Sequence, residues 1–364
     1  MRVLFIVQGE GRGHLTQAIS MAQLLQREGH HIIGAWVNVD WHRPVPSFFL
    51  EQFAAPVIDL PGPSLVYHPQ TNALDLKKTI QGILKNIRAY KKSLAHLGEA
   101  IEHHRPDIVI NFFELLGGLT YAIHKPKVPM VCIAHQCMGL HPDFPYPVGK
   151  RIDRLLFKAL IKLNSWGARQ RFGLSFDEQA DIPEQRLRIM PPLLRREVIL
   201  RKRMECSNFV VSYTTQPGLQ SEIMNTCLLN PTVNVKYFQS QTVPSEKSIG
   251  KLEFMPIDGQ LYLDEMQRCR AVMTTAGFES VCEAMYLGKP VQMRPMPNHF
   301  EQVCNASDGQ RVGAGMAVDK FDLTKLLLYA NQYNESVSTS FRQWYRKGTP
   351  RFVEALQDII DQSN

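Results

Sequence analysis

Residues 274–306, TTAGFESVCEAMYLGKPVQMRPMPNHFEQVCNA, carry the reading that decides the fold. A short apolar strand, Ala271 to Thr274, leads into this stretch, and Gly277 stands where the strand should stop. From Ser280 to Leu287 the apolar residues Val281, Ala284, Met285 and Leu287 fall at helical spacing. Gly288 ends that helix and Pro290 blocks its continuation. Pro290 to Met293 reads as a buried strand and Pro295 to Gln302 as a polar loop. A glycine turn feeding a helix N-terminus is a natural anion site, because free backbone N–H groups and the helix dipole point at the ligand. The stretch therefore predicts a bound phosphate, with Glu283 one turn further on and Glu301–Gln302 facing it.

The same alternation runs through the rest of the chain. Arg2–Gln8 is an apolar strand, Leu15–Arg27 a helix closed by Gly29, and His31–Val37 a second strand. Apolar residues between Leu74 and His104 keep helical spacing, Asp107–Phe112 and Pro129–Ala134 read as strands, and Arg151–Trp166 as a helix. The pattern restarts after Pro191–Pro192 and the basic run Arg195 to Arg203. Phe209–Tyr213, Val233–Phe238 and Leu252–Phe254 then precede the strands already named. This predicts an α/β protein of two tandem doubly wound, Rossmann-like parallel-sheet domains facing a cleft. The expected division is an N-terminal domain over 1–200 and a C-terminal domain over 201–325. A helical segment over 326–364, broken at Gly348–Pro350, packs across the interface. Ligands of such sheets sit outside the carboxyl ends of the strands, so the loops there are the places to search.

Composition narrows the class. At 364 residues, 44% hydrophobic and 21% charged, the chain suits two soluble globular domains. No run is long enough to span a membrane, and the start MRVLFIVQGEGRGH does not read as a signal peptide. Seven cysteines without a CxxC pair fit a cytoplasmic location and suggest no metal site. Residues 1–205 hold 27 Lys+Arg against 18 Asp+Glu, and residues 206–364 hold 14 against 16. The basic half could face an anionic membrane or substrate. The interleaving of basic and aromatic residues that single-strand binders use is missing, so no nucleic-acid partner is expected.

The first-strand loop, Gln8-Gly9-Glu10-Gly11-Arg12-Gly13-His14, alternates three glycines, which permits close approach of backbone to a ligand. It is not GxGxxG, and the second strand ends without an acidic residue, which disfavours a dinucleotide. His14 opens the helix. A helix N-terminus disfavours the imidazolium, so His14 either serves as a neutral base or merely caps the helix.

Together the two stretches resemble the GT-B nucleotide-sugar glycosyltransferases, in particular the UDP-glucuronosyl and UDP-glucosyl transferases and the MurG-like GlcNAc transferases, in a prokaryotic branch. The matching residues are Gly13-His14 and Gly29-His30 in the first half. In the second they are Thr275-Ala276-Gly277, Ser280, Glu283, Gly288-Lys289-Pro290, Pro295, Glu301-Gln302 and Asn305-Ala306. The resemblance implies that Gly11, Gly13, Thr215, Thr275, Gly277, Phe278, Glu279 and Ser280 surround the donor. Glu283 would take the ribose hydroxyls, since a carboxylate accepts two hydrogen bonds from a vicinal diol. Glu301 and Gln302, with His299 nearby, would grip the sugar. Phe254 would stack on the base or else pack in the core. Two departures bear on the donor sugar: Thr275 replaces a frequent histidine, and Glu301 a shorter aspartate.

The implied reaction is an inverting, metal-independent hexosyl transfer from a UDP-sugar, a co-substrate rather than a cofactor, to an acceptor hydroxyl. His14 is the implied base, oriented by Glu114, with His135 as the second candidate. The acceptor is a glycan or a lipid-linked molecule. Val148 to Phe172 carries seven basic residues with Ile152, Leu155, Leu156, Leu160 and Leu163 on another face, so it either docks on the cytoplasmic face of a membrane or is a core helix with a solvated basic side. A UDP-GlcNAc epimerase and a non-catalytic nucleotide-sugar-binding protein are the alternatives on the same fold.

Overall fold

The run Val3–Val7 is wholly buried, as an apolar strand in the middle of a parallel sheet must be. The computed structural model describes all residues except 40–43, 65–75, 203, 205, 206, 208, 215, 216, 240–247 and 364. Among the described residues the strands form two seven-stranded sheets. The first comprises β1 (Arg2–Val7), β2 (His31–Val39), β3 (Val57–Pro61), β4 (Ile108–Phe112), β5 (Met130–Ala134), β6 (Gln170–Leu174) and β7 (Leu187–Met190). The second comprises β8 (Phe209–Thr214), β9 (Asn234–Gln239), β10 (Ser248–Ile249), β11 (Leu252–Pro256), β12 (Ala271–Thr274), β13 (Val291–Met293) and β14 (Gly315–Ala317).

The spatial orders are β3-β2-β1-β4-β5-β6-β7 and β10-β11-β9-β8-β12-β13-β14. Every pairing is parallel except β10 with β11. Each sheet therefore reverses direction once, between β1 and β4 in the first and between β8 and β12 in the second. The crevice at such a reversal is where open α/β sheets bind ligands. The helix that follows β1 begins with Gly13 and His14, and the turn after β12 holds Gly277, so both sequence motifs fall at reversal points.

Several elements differ from the sequence reading. The expected loop Pro295–Gln302 ends early: the helix Phe300–Arg311 takes in Glu301 and Gln302, with His299 as its cap. Strands β3, β6, β7 and β14 are short or carry polar residues, and periodicity alone does not reveal them. The break read at Gly348–Pro350 is present, one helix ending at Arg346 and the next, Gly348–Asp361, starting there. Proline is tolerated there because the first-turn N–H groups lack intrahelical partners anyway.

The last two helices, Glu335–Arg346 and Gly348–Asp361, tie the two sheets together. Trp344, 3% exposed, donates its indole N–H to the Ser175 carbonyl at 3.0 Å. Arg351 donates to the Ile189 carbonyl at 2.7 Å and to Asp181 at 2.8 Å. Phe352 packs on Phe172 with ring centroids 6.0 Å apart. Lys347 pairs with Glu178 at 2.6 Å, but both side chains are more than half exposed. Burial decides which of these contacts matters. Trp344→Ala is expected to cost about 3–5 kcal/mol, seen as a lower urea midpoint, whereas Lys347→Ala should change stability by no more than about 1 kcal/mol.

Candidate active site

The turn after β12 is held in a strained form. Ala276 has φ 62°, a left-handed conformation that a Cβ disfavours. Asn305, from the helix Phe300–Arg311, donates its amide to the Ala276 carbonyl at 3.1 Å and is 2% exposed. Asn305 thus anchors the turn from behind. Gly277 has φ −68°, so it is not there for a left-handed angle. A Cβ on it would meet nothing within 4 Å, and the helix Phe278–Tyr286 begins without a side-chain cap. Its first N–H groups are the free donors an anion requires. Thr275 and Ser280 flank the turn, half-buried.

Across the cleft, the helix Gly13–Arg27 also starts without a side-chain cap. Gly11 takes φ 80° in the loop before it. A Cβ on Gly9 would lie 1.9 Å from the Asn38 carbonyl oxygen, so only glycine lets the loop cross β2 there. The two helix starts approach closely: a Cβ on Gly13 would stand 3.6 Å from Glu279 Cγ.

His14 lies between them. Its Nδ1 is 3.3 Å from Gln17 Oε1, its Nε2 is 3.3 Å from Gln136 Nε2, and its ring stacks on Phe113 at 5.9 Å. Burial lowers its pKa, and the negative charge of Glu301 opposes that shift. His14 is therefore neutral near pH 7. Gln17 in turn donates to Glu279 Oε1 at 2.6 Å. Burial pushes the Glu279 carboxyl up to about 8, against the Gln17 hydrogen bond.

Glu114 does not act as the partner of His14. It caps the helix Leu115–Ile123, accepting from the Leu116 N–H at 3.1 Å and from Asn38 Nδ2 at 2.9 Å, and burial raises its pKa to about 7. His135 is also displaced from the role foreseen for it. It is 3% exposed, donates from Nδ1 to the Leu174 carbonyl at 2.7 Å, and stacks on Phe278 at 4.0 Å. Its Nε2 points at Asp308, 3.9 Å away. His135 and Phe278 are thus packing partners across the two domains.

Phe254 is 3% exposed and packs against Tyr237, so its ring fills the second core instead of facing a base. Thr215 lies outside the described residues. His299 accepts the Gln302 N–H at 3.4 Å, and Gln302 Oε1 accepts from the Met296 N–H at 2.8 Å, so both shape the loop 296–299. Glu301 is half-buried, and its charge acts on His14. Glu283, 3% exposed, is held at Oε1 by Arg195 at 2.6 Å. Arg195 also lines a cavity of ≈ 280 Å³ with Arg12, Phe48, Asp258 and Gly259.

Sequence reasoning missed Gln17, Gln136, Arg195 and the anchoring role of Asn305. The spacing of His14 and Gln17, three residues apart on one helix face, is a signal that could have found Gln17. Gln136 and Arg195 reach the site through tertiary packing alone.

Two Rossmann-like domains whose reversal points face one cleft, with a histidine-bearing helix start opposite an uncapped glycine turn, define the GT-B class of glycosyltransferases. The chain belongs to the family described as glycosyl transferase family 1, whose model matches residues 1–331. The NDP-glycosyltransferase YjiC of Bacillus subtilis (strain 168) is 21% identical over 353 residues, covering 86% of this chain and 83% of that protein. The UDP-N-acetylglucosamine--N-acetylmuramyl-(pentapeptide) pyrophosphoryl-undecaprenol N-acetylglucosamine transferase of Lactobacillus delbrueckii subsp. bulgaricus (strain ATCC BAA-365 / Lb-18) is 22% identical, covering 89% and 87%. The crystal structure of the glycotransferase of kitacinnamycin shares the fold, with a TM-score of 0.69 over 99% of each chain at 14% identity.

The raised carboxyls give a pH signature. Unfolded, Glu279 and Glu114 would lose their protons near 4.5; folded, they keep them to about 8 and about 7. The folded state thus binds more protons across that window, and stability falls as pH rises through it. His14 and His135, with lowered pKa values, act in the opposite sense and only below 6.5. Between pH 6.5 and 8 the carboxyls act alone among these four. Glu279→Gln is expected to lose less stability than the wild type over that interval, measured as the shift in urea midpoint.

Proposed function

We propose that the chain transfers a hexosyl group from a UDP-sugar to an acceptor hydroxyl by a single inverting displacement. The observation that carries this reading is the neutral His14 at one helix start, facing an uncapped helix start from the other domain. His14 Nε2 takes the proton of the acceptor hydroxyl as that oxygen attacks the anomeric carbon. Charge growing on the leaving diphosphate meets the N–H groups after Gly277, already oriented. This arrangement supplies the electrostatic stabilisation without calling on a metal ion. The ribose hydroxyls bind Glu283 at Oε2, the oxygen that Arg195 does not hold, and the nucleoside extends toward the cavity beside Arg195. Glu301, whose charge acts on His14, contacts the sugar where donor and acceptor meet. Closure of the cleft keeps water from the anomeric carbon.

The B. subtilis relative, named for NDP-sugars, supports a nucleotide-sugar donor. A panel of nucleotide sugars in a thermal-shift screen should find UDP-sugars stabilising the protein, and His14→Ala should lower turnover of the stabilising donor by about 10²-fold or more. Retention of near wild-type turnover by that variant would remove His14 as the base.

The acceptor is lipid-linked in this reading. On the helix Arg151–Asn164, Ile152, Leu155, Leu156 and Leu160 are 43–74% exposed, so its apolar face looks outward. Lys150, Arg151, Arg154, Lys158 and Lys162 surround that face. Burial and its cationic neighbours Arg154 and Lys162 lower the Lys158 pKa. The combination suits an anionic lipid surface. The same helix meets the cleft, because Phe157 packs on Phe300 at 5.6 Å. The L. delbrueckii relative carries a pyrophosphoryl-undecaprenol acceptor in its name. Co-sedimentation with phosphatidylglycerol vesicles at low salt is expected, and Leu155→Asp with Leu156→Asp should abolish it. Equal recovery of both proteins in the supernatant would count against the membrane role.

A further inference from the structure

We propose that Glu279, contributed by the second domain, is the positioning carboxyl of the His14 base and acts through Gln17. The inference rests on the role of His14 given above. The hydrogen bonds run in one direction. Gln17 turns its NH₂ toward Glu279 Oε1 at 2.6 Å, and that oxygen accepts. The Gln17 carbonyl oxygen then faces His14 Nδ1 at 3.3 Å, and that nitrogen must carry the hydrogen. A neutral imidazole has one N–H, which leaves the lone pair on Nε2. Gln136 stands 3.3 Å from Nε2 with its NH₂ and holds the place of the acceptor hydroxyl. Reverse the amide of Gln17, and the hydrogen moves to Nε2, where the base is needed bare.

The polarity survives protonation of the carboxyl. Glu279 Oε2 is buried with no hydrogen-bond partner. A proton on that atom leaves Oε1 an acceptor from Gln17. A protonated Glu279 also adds no negative charge beside the leaving diphosphate. Burial favours this form most, the Gln17 hydrogen bond opposes it, Glu283 favours it and Arg195 opposes it. Gly13 faces the Glu279 stem, and a Cβ there would come to ordinary contact with Cγ, at 3.6 Å. Gln17 and His14 lie on the first domain and Glu279 on the second, so the base is set only when the two helix starts meet. Separated, the Gln17 amide is free to turn, and His14 no longer has a fixed tautomer.

The tautomer can be read without substrate, by ¹⁵N-resolved NMR of the His14 imidazole. The wild type should show the Nδ1–H form. Glu279→Gln presents an amide that pairs with Gln17 in either orientation, so it should give mixed tautomers and a kcat lower by about tenfold or more. The exchange Gln17→Glu with Glu279→Gln restores a fixed polarity, with the new carboxylate accepting from both His14 Nδ1–H and the amide at 279. It should recover the Nδ1–H form and most of kcat. An Nε2–H tautomer in the wild type, or an unchanged spectrum in Glu279→Gln, would overturn the proposal. Failure to find any glycosyl transfer, with the spectra as expected, would overturn the proposed function alone.

Discussion

Two helix N-termini face one another across the cleft, and the rest of the structure answers to that. Like ends of helix dipoles repel, and each end carries unpaired N–H groups. Neither helix start is capped by a side chain. What lies between them is a short polar chain from Gln136 through His14 and Gln17 to Glu279. The approach is kept by contacts outside it: the stacking of Phe278 on His135, the pairing of Arg311 with Asp177, and the return of the C-terminal helices onto the first domain through Trp344, Arg351 and Phe352. A site that favours an anion is thus assembled by burial elsewhere.

This division separates what holds the site from what works in it. Asn305 secures the strained turn at Ala276, and Asn111 and Asn164 do the same for the turn at Phe113, whose φ is 56°. Phe113 then carries the His14 ring. The polar residues deepest in the structure are in large part such clamps on backbone. The residues open to the cleft are fewer, and they sit on helix starts, where backbone donors already point outward.

How much of this the sequence disclosed follows from the range over which each signal acts. Local signals did well. The strand, turn and helix around Gly277 are a matter of chain order and composition within a dozen residues, and β12 runs from Ala271 to Thr274 as read. The glycine-rich loop and His14 were legible for the same reason. Short polar strands such as β6 and β7 were not, because their pairing depends on neighbours distant in sequence. Side-chain partners were the least legible. Phe254 could have faced a base or the core, and only the packing of β9 against β11 decides it. Glu114 had the right charge in the right loop, yet its own helix start claims it first, since an N-cap two residues away costs less order than a partner across a loop.

The same preference for near partners explains why the acid near His14 comes from the far domain. In the first domain Glu114 is taken by a backbone N–H of its own helix and Asp177 by the Arg311 guanidinium. Glu279 has no cap to serve, because Gly277 sets the helix start and the turn is fixed from behind by Asn305. Its stem passes the one place on the opposite helix where there is no side chain, Gly13. An acid so placed reaches His14 through Gln17 only while the cleft is narrow. The geometry of the base is then a property of both domains together.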